Sequence, residues 1–338
     1  MRSTRASNFV ACTAAAPINP HSQRGAPEVY FRGLAPLSDG VRESPVQPGG
    51  LTAKDFAVAA MMNVLWGLNI VAVKTAVDLI APMTAALLRQ AIVLLVCITA
   101  LKIIRGKMLA LTALGLMSGC AFYVVLNLSL AISDNVSALA IAGQLGVPFS
   151  LILAVIVFRE RVRWPRILGI SLSFVGVALL AFDPSAAKEI PGLALTAVAS
   201  AIWACCSLIQ RSLRGVPVLT IYAWVGLWGT AGLLPIALHW EPEAMRNLGS
   251  LPLSALAWVA FSAIGSTVAG QGSMSWLLQR HPINLVTPLT LAAPVVSVVV
   301  AAYWFQTPVT WLMVAGGGIA MLGVSIVAVR SAKRVEQG

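Results

Sequence analysis

The sequence predicts an all-α integral membrane protein with ten transmembrane helices, arranged as two inverted five-helix repeats. Three observations lead to this prediction. Apolar residues make up 58% of the 338 residues and charged residues only 10%, whereas soluble domains have roughly 45–50% and about 25%. Long apolar runs recur along the chain, and the two halves share motifs at a constant offset. A soluble fold of this size could not bury so much apolar surface, so lipid is the expected solvent.

The first 54 residues differ from the rest of the chain. They are rich in Pro, Gly and Arg and show no sustained hydrophobic period, so this tail is expected to be disordered. A targeting peptide would also fit, because the first 25 residues contain Arg and Ser but no acidic residue. So would a regulatory tail, or an over-extended start of translation, which would make the segment dispensable.

Ten apolar runs follow this tail, and a membrane-spanning helix needs about 20 such residues. Charges, prolines and helix caps fall in the breaks between the runs. Spans 1 to 10 are predicted at about 55–76, 82–101, 108–131, 135–158, 164–182, 191–211, 218–238, 253–277, 283–304 and 308–329. These spans leave no room for a soluble domain, and residues 331–338 form a short tail.

Motifs of the first half recur in the second half. Span 1 contains Trp66 and Lys74, and span 6 contains Trp203 and Arg211 at the same spacing. An offset of 147 residues relates three further pairs: Trp164 and Trp311, Gly169 and Gly316, and Gly176 and Gly323. The repeats are therefore 55–182 and 191–330. Because each has an odd number of spans, the second is inverted, as in many secondary transporters.

The basic residues indicate the orientation in the membrane. One set of alternate breaks contains only Lys74, Lys188 and Arg246, together with six acidic residues. The other set contains Lys102, Arg105, Lys107, Arg159, Arg161, Arg163, Arg166, Arg211, Arg214, Arg280, Arg330, Lys333 and Arg334. Because Lys and Arg accumulate in cytoplasmic loops, both termini are predicted to be cytoplasmic. This distribution explains the net charge of +11 without a nucleic-acid partner.

These motifs resemble the ten-helix, EamA-type drug/metabolite transporters, from Phe56 to Arg330. The resemblance rests on Trp66-Gly-Leu-Asn-Ile-Val-Ala-Val-Lys74, Arg89 after Pro82, Pro148 with Glu160-Arg161, Ile202-Trp203-Ala204-Cys205, and Pro294 before the helix with Gly316 and Gly323. The segments Trp66-Gly-Leu-Asn69 and Ser275-Trp276 to Val295 look most like the O-acetylserine/cysteine exporter branch. Thr307 or Gln306 stands where the family often has a second acidic residue, which argues against a symmetric pair of carboxylates.

The resemblance implies a bacterial-type inner (plasma) membrane location and export of small metabolites. We therefore expect a secondary active transporter for small amino-acid-like compounds of the O-acetylserine/cysteine class, working by alternating access. A transporter of another substrate class, such as a drug, a sugar or a lipid-linked metabolite, is the alternative. A membrane protein that does not transport is a less favoured interpretation. The oligomeric state is left open.

Polar residues inside the spans are the candidate substrate contacts, since polar groups in lipid usually face a cavity or each other. These residues, with the nearby aromatic ones, are Arg89, Lys74, Asn69, Trp66, Tyr123, Asn127, Gln144, Trp203, Gln271 and Trp276. Arg89 lies seven residues into span 2, about 10 Å along the helix axis. The spans contain no central carboxylate to neutralise it, so a substrate carboxylate is a reasonable partner.

Structural roles would also account for the charged candidates. Arg89 could pair with backbone carbonyls or with Asp78 or Asp134 near the outer surface. Lys74 could form an ion pair with Asp78, four residues later on the same helix. Separately, Gly115 and Gly119 have the spacing of closely packed membrane helices.

The chain lacks the motifs of several enzyme classes. It has no Gly-x4-Gly-Lys-Ser/Thr loop, no His-Glu-x2-His and no Gly-x-Ser-x-Gly. The three histidines, His21, His239 and His281, all lie outside the centres of the spans. We therefore expect no enzymatic activity, no metal site and no cofactor.

Overall fold

A computed structural model describes residues 51–158, 164–180, 182–183, 187–278, 280–281 and 283–335. The described residues all belong to one compact unit. The expectations for the tail at 1–50 and for the hairpin at 159–163 concern residues outside the described ranges.

Helices and their connections make up the described residues, and no strand occurs among them. The helices of the first half are α1 (Ala53–Leu79), α2 (Pro82–Cys97), α3 (Met108–Leu114), α4 (Phe122–Ala131), α5 (Val136–Ala142), α6 (Gly146–Phe158) and α7 (Trp164–Leu180). Those of the second half are α8 (Ile190–Ser212), α9 (Val218–Trp240), α10 (Pro242–Arg246), α11 (Leu253–Ala260), α12 (Gln271–Leu278), α13 (Ile283–Leu289), α14 (Ala292–Phe305) and α15 (Trp311–Val335). Helix α15 extends into the predicted C-terminal tail.

Some of these helices are parts of longer continuous helices. A π-helical segment, Gly115–Ala121, joins α3 to α4, and a second one, Phe261–Gly270, joins α11 to α12. A short 3-10 segment, Gly143–Leu145, joins α5 to α6. The π segments begin seven and eight residues into their helices, so they occupy corresponding positions in the two halves.

Seven helical stretches of the described chain are long and apolar enough to cross a membrane. They are Ala53–Leu79, Pro82–Ala100, Met108–Ala131, Val136–Val157, Ile190–Ser212, Val218–Trp240 and Leu253–Leu278. The remaining three predicted spans coincide with shorter apolar helices, Ile167–Leu180, Ala292–Phe305 and Trp311–Val327. The prediction of a multi-pass membrane protein is thus confirmed, while the number ten stays a prediction.

The helix surfaces fit a lipid environment. Leu95 on α2 and Leu322 on α15 are 67% and 63% exposed, and Val299 on α14 is 62% exposed. In water, an apolar surface on this scale would promote aggregation, whereas in a bilayer it faces acyl chains.

Local sequence determines where the first helices begin. Thr52 caps α1, since its side chain accepts a hydrogen bond from the backbone N–H of Asp55 while Asp55 accepts one from the N–H of Thr52. Pro82 opens α2, where its fixed φ angle suits the first helical position. The Glu241 carboxylate accepts hydrogen bonds from the N–H groups of Met83 and Thr84. A residue of the second half thereby caps a helix of the first.

The last helices of the two halves, α7 and α15, pack against each other through glycines. A Cβ atom on Gly176 would lie 2.5 Å from the carbonyl oxygen of Gly316, and one on Gly323 would lie 2.5 Å from that of Gly169. Only glycine permits this approach. The earlier glycine of one helix meets the later glycine of the other, so the helices run antiparallel.

Helices α2 and α9 are also antiparallel. A Cβ atom on Gly226 would lie 2.9 Å from the Cα of Leu94, and one on Gly229 would lie 2.9 Å from the Cγ of Gln90. The sequence positions again run in opposite directions along the two helices. Each of these pairs joins corresponding helices of the two halves, and inverted repeats require this antiparallel arrangement.

Candidate functional site

Arg89 lies at the meeting point of helices from both halves. Only 6% of its surface is exposed. Its Nε atom donates a hydrogen bond to the Ser262 hydroxyl at 2.9 Å, and its Nη2 atom donates one to the Thr267 hydroxyl at 2.6 Å. Both hydroxyls belong to the second π segment. Because π segments inside α-helices frequently occur at functional sites, this placement indicates more than simple packing.

The aromatic ring of Tyr123 covers the Arg89 side chain. The guanidinium carbon lies 4.1 Å from the ring centroid, in the geometry of a cation–π contact. Tyr123 follows the first π segment by two residues. Phe122 contacts both Tyr123 and Trp203, with centroid separations of 5.0 Å and 5.4 Å. The second π segment and the helix that continues the first one therefore both contribute to the surroundings of one cation.

A hydrogen-bond chain connects Arg89 to α1. The Ser262 hydroxyl, which accepts from Arg89, donates to the Asn69 Oδ1 atom at 2.7 Å. Since a guanidinium can only donate, the Ser262 hydrogen is free to point at Asn69. In the structure the Asn69 Oδ1 atom faces Ser262. Its Nδ2 group faces away from Ser262 and can donate to another molecule.

The charge of Arg89 has no carboxylate partner among the described residues. The ion pairs that the structure shows there are Lys74 with Asp78 and His281 with Asp55. All the polar partners of Arg89 in the same part of the chain are neutral hydroxyls. A buried charge is costly unless it is paired, so an anion from outside the protein would find a favourable place here.

Lys74 makes internal contacts. Its Nζ atom lies 2.7 Å from the Asp78 carboxylate and donates a hydrogen bond to the carbonyl oxygen of Leu130 at 3.0 Å. Leu130 is in the last turn of α4, where carbonyl groups have no partner within the helix. These contacts match the ion pair that the spacing of Lys74 and Asp78 suggests. A substrate-binding role for Lys74 stays a prediction.

Trp66, Gln271 and Asn127 lie on the helices around Arg89. The indole N–H of Trp66 donates to the carbonyl oxygen of Ser266 in the second π segment at 3.2 Å. Gln271 is half-buried and directly follows that segment. Asn127 lies one turn beyond Tyr123 on α4, is 2% exposed, and donates from Nδ2 to the carbonyl oxygen of Pro82 at 2.8 Å.

Gln144 and Trp276 lie elsewhere. Gln144 borders an apolar crevice of about 340 Å³ between α5, α14 and α15, lined by residues such as Val295, Val299 and Val314. Trp276 contacts Lys54 and Arg280, whose charged groups lie 5.7 Å and 3.9 Å from its ring. Lys54 is 15 residues before Asn69 on α1, or about 22 Å along the axis. Trp276 is therefore near the N-terminal end of α1 and far from Asn69 along that helix.

Ser262 and Thr267 were not anticipated from the sequence. Serine and threonine are common in membrane helices, where they bond to their own backbone, so their type alone does not mark a site. Gln90, next to Arg89, is fully buried and neither of its amide atoms has a partner in the described part of the chain. It packs against Gly229 of α9.

Comparisons with known proteins identify the chain's relatives. Residues 56–182 and 190–329 match the model of the EamA-like transporter family. An "Uncharacterized transporter" of Archaeoglobus fulgidus is 31% identical over 282 residues, covering 81% of this chain and 98% of the relative. A "Probable amino-acid metabolite efflux pump" of Escherichia coli (strain K12) is 24% identical, covering 85% of this chain and all of the relative. One crystal structure, 16% identical, has a TM-score of 0.57 and covers 85% of this chain and 100% of its own.

Proposed function

Because this chain belongs to the EamA-like transporter family, we propose that it exports small amino-acid-like metabolites by secondary active transport. The family is one of membrane transporters, so the chain is a transporter and not an enzyme. The proposal extends to ten spans in two inverted repeats, with both termini cytoplasmic in a bacterial-type inner membrane. Alternating access then follows from exchanging the conformations of the two repeats around a central site.

The observation that carries the substrate class is the neutral surroundings of buried Arg89. Its guanidinium is held by Ser262 and Thr267 and covered by Tyr123, with no carboxylate partner among the described residues. A substrate carboxylate supplies the missing negative charge through charge-assisted hydrogen bonds. The Nδ2 group of Asn69, which has no hydrogen-bond partner among the described residues, is a further donor for the same anion.

Two further facts support an amino-acid-like substrate. The Escherichia coli relative carries the name of an amino-acid metabolite efflux pump, and the segments around Trp66 and Trp276 look like the O-acetylserine/cysteine exporter branch. A cationic drug would be repelled by Arg89 and would require a central acid, which the described spans lack. The O-acetylserine/cysteine class is thus the proposed substrate class.

Counterflow in proteoliposomes tests this function. Vesicles containing the purified protein and unlabelled cysteine or O-acetylserine should accumulate the labelled compound from outside. Arg89→Gln should reduce the rate by about tenfold to a hundredfold, since each hydrogen bond to a charged group contributes about 1.5–3 kcal/mol. Arg89→Lys should be impaired as well, because a lysine cannot form the two-pronged contact.

Arg246→Gln is the matched control. Arg246 is exposed and its Nε atom donates to the carbonyl oxygen of Pro242 in its own short helix, so its loss should leave counterflow unchanged. Full transport by a well-folded Arg89→Gln variant would show that the carboxylate is bound elsewhere. Absence of counterflow with every amino acid of a broad panel would exclude the proposed substrate class.

A further inference from the structure

Asn127, on the helix that carries Tyr123, has a hydrogen-bond acceptor without a partner among the described residues. Its Nδ2 group donates to the carbonyl oxygen of Pro82. A carbonyl can only accept, so this contact fixes the amide with nitrogen toward Pro82 and oxygen away from it. The Oδ1 atom is buried and has no partner in the described chain. Leaving a buried acceptor unpaired costs about 1–3 kcal/mol, so a donor is expected to occupy this position.

The position of Asn127 relates this acceptor to the Arg89 site. Asn127 lies four residues after Tyr123 on α4, one helical turn or about 6 Å along the axis. The two side chains share a helix face, and the Tyr123 ring is in contact with the Arg89 guanidinium. The acceptor therefore lies about one helical turn from the ring that covers the cation.

The polar groups around this position form a complementary set. Arg89 and the Nδ2 group of Asn69 are donors, whereas the Oδ1 atom of Asn127 is an acceptor. An α-amino acid has an anionic acceptor and a cationic donor on adjacent atoms. A neutral amide oxygen can bind the ammonium group and leave the charge of Arg89 unbalanced. An aspartate or glutamate at this position would neutralise that charge.

We propose that Asn127 Oδ1 accepts a hydrogen bond from the substrate's ammonium group while Arg89 and Asn69 bind its carboxylate. This assignment rests on the proposed function, and it specifies the substrate further. The protein selects free α-amino acids over carboxylic acids that lack the amino group. Asn127 is then the residue that determines this selectivity, and Arg89 determines the requirement for a carboxylate.

Competition in the counterflow assay tests the assignment with two ligands that differ by one group. Cysteine and 3-mercaptopropionate share the thiol and the carboxylate, but only cysteine has an ammonium group. The wild-type protein should bind cysteine at least tenfold more tightly than 3-mercaptopropionate. Asn127→Leu should lower the apparent affinity for cysteine about tenfold, and should leave the affinity for 3-mercaptopropionate unchanged.

Gln90→Leu is the matched control, because Gln90 is another buried amide, with no partner among the described residues, and it packs against Gly229 of α9. It should keep the preference for cysteine. An equal loss of both ligands in Asn127→Leu would reduce Asn127 to a structural role. Equal binding of the two ligands by the wild-type protein would also overturn the assignment. This measurement does not depend on the folding of any variant.

Arg89→Gln separates this assignment from the proposed function. This variant should bind cysteine and 3-mercaptopropionate equally more weakly than wild type, since both ligands have the carboxylate. Unchanged binding of both ligands in Arg89→Gln would contradict carboxylate binding at Arg89. A loss of both in Arg89→Gln, combined with an unselective loss in Asn127→Leu, would contradict only the ammonium assignment.

Discussion

The two π-helical segments occupy the same position in the two halves but perform different tasks. Gly115–Ala121 packs closely on α9, where a Cβ atom on Gly119 would lie 2.5 Å from the carbonyl oxygen of Val225. Phe261–Gly270 instead directs the hydroxyls of Ser262 and Thr267 at Arg89. The same irregular backbone thus provides a packing surface in one half and a polar surface in the other.

This difference shows that the site is asymmetric within a repeated scaffold. The positive charge comes from α2 of the first half, and α9, its counterpart, contains no Lys or Arg. The hydroxyls that hold the charge come from the second half. A substrate carboxylate bound by Arg89 and Asn69 would therefore contact the first half directly, and the second half through the Arg89 side chain that Ser262 and Thr267 hold.

Adding one methyl group to the packing segment should have the largest effect on stability. In Gly119→Ala the new Cβ would meet backbone atoms of α9, which cannot move aside. We expect a loss of about 1–3 kcal/mol, the usual cost of overpacking, measured as a lower melting temperature in detergent. The substrate preference of the remaining folded protein should not change.

Gly272→Ala controls for the substitution itself. Gly272 follows the second π segment, and a Cβ atom added there would meet open space. The variant should therefore match or slightly exceed wild-type stability, because alanine favours helix. Equal stability of Gly119→Ala and wild type would show that the first π segment does not depend on close packing.

Removing the hydroxyls of the polar segment should affect transport more than stability. Ser262→Ala and Thr267→Val each remove one hydrogen bond that orients Arg89, and each should slow counterflow about threefold to tenfold. The fold reduction in the counterflow rate of the double variant should be smaller than the product of the two single reductions, because both hydroxyls act on one side chain. The melting temperature should fall modestly, because each variant leaves a buried donor of Arg89 without its partner.

Ser273→Ala is the comparison for these variants. Its hydroxyl donates to the carbonyl oxygen of Ala269 in its own helix, so counterflow should remain at the wild-type rate. If Ser273→Ala were as slow as Ser262→Ala, the effect would reflect helix packing and not the orientation of Arg89.

Composition and spacing were sufficient to predict the membrane class, the helical runs and the repeat. Gly169 and Gly176 illustrate this, since their offset from Gly316 and Gly323 indicated the repeat and the structure brings these glycines into contact. Arg89 could be identified because a charge within an apolar run is rare. The spacing between Pro82 and Arg89 predicts how far along α2 the arginine lies.

The rest of the site could not be predicted, because spacing does not show which helices pack together. The π geometry that brings Ser262 and Thr267 toward Arg89 has no sequence signature that distinguishes it from an ordinary helix. The same limit applies to Trp276, which the sequence groups with the polar candidates of the spans while its contacts are with Lys54 and Arg280.

Recognition of the substrate carboxylate by Arg89 is tested most directly by comparing cysteine with its carboxamide, which lacks the negative charge. Competition against labelled cysteine should show that the wild-type protein prefers cysteine at least tenfold. In Arg89→Gln this preference should disappear, because the variant has no charge to distinguish the two ligands. A variant that transports weakly but still prefers cysteine over the carboxamide by the wild-type factor would contradict this account.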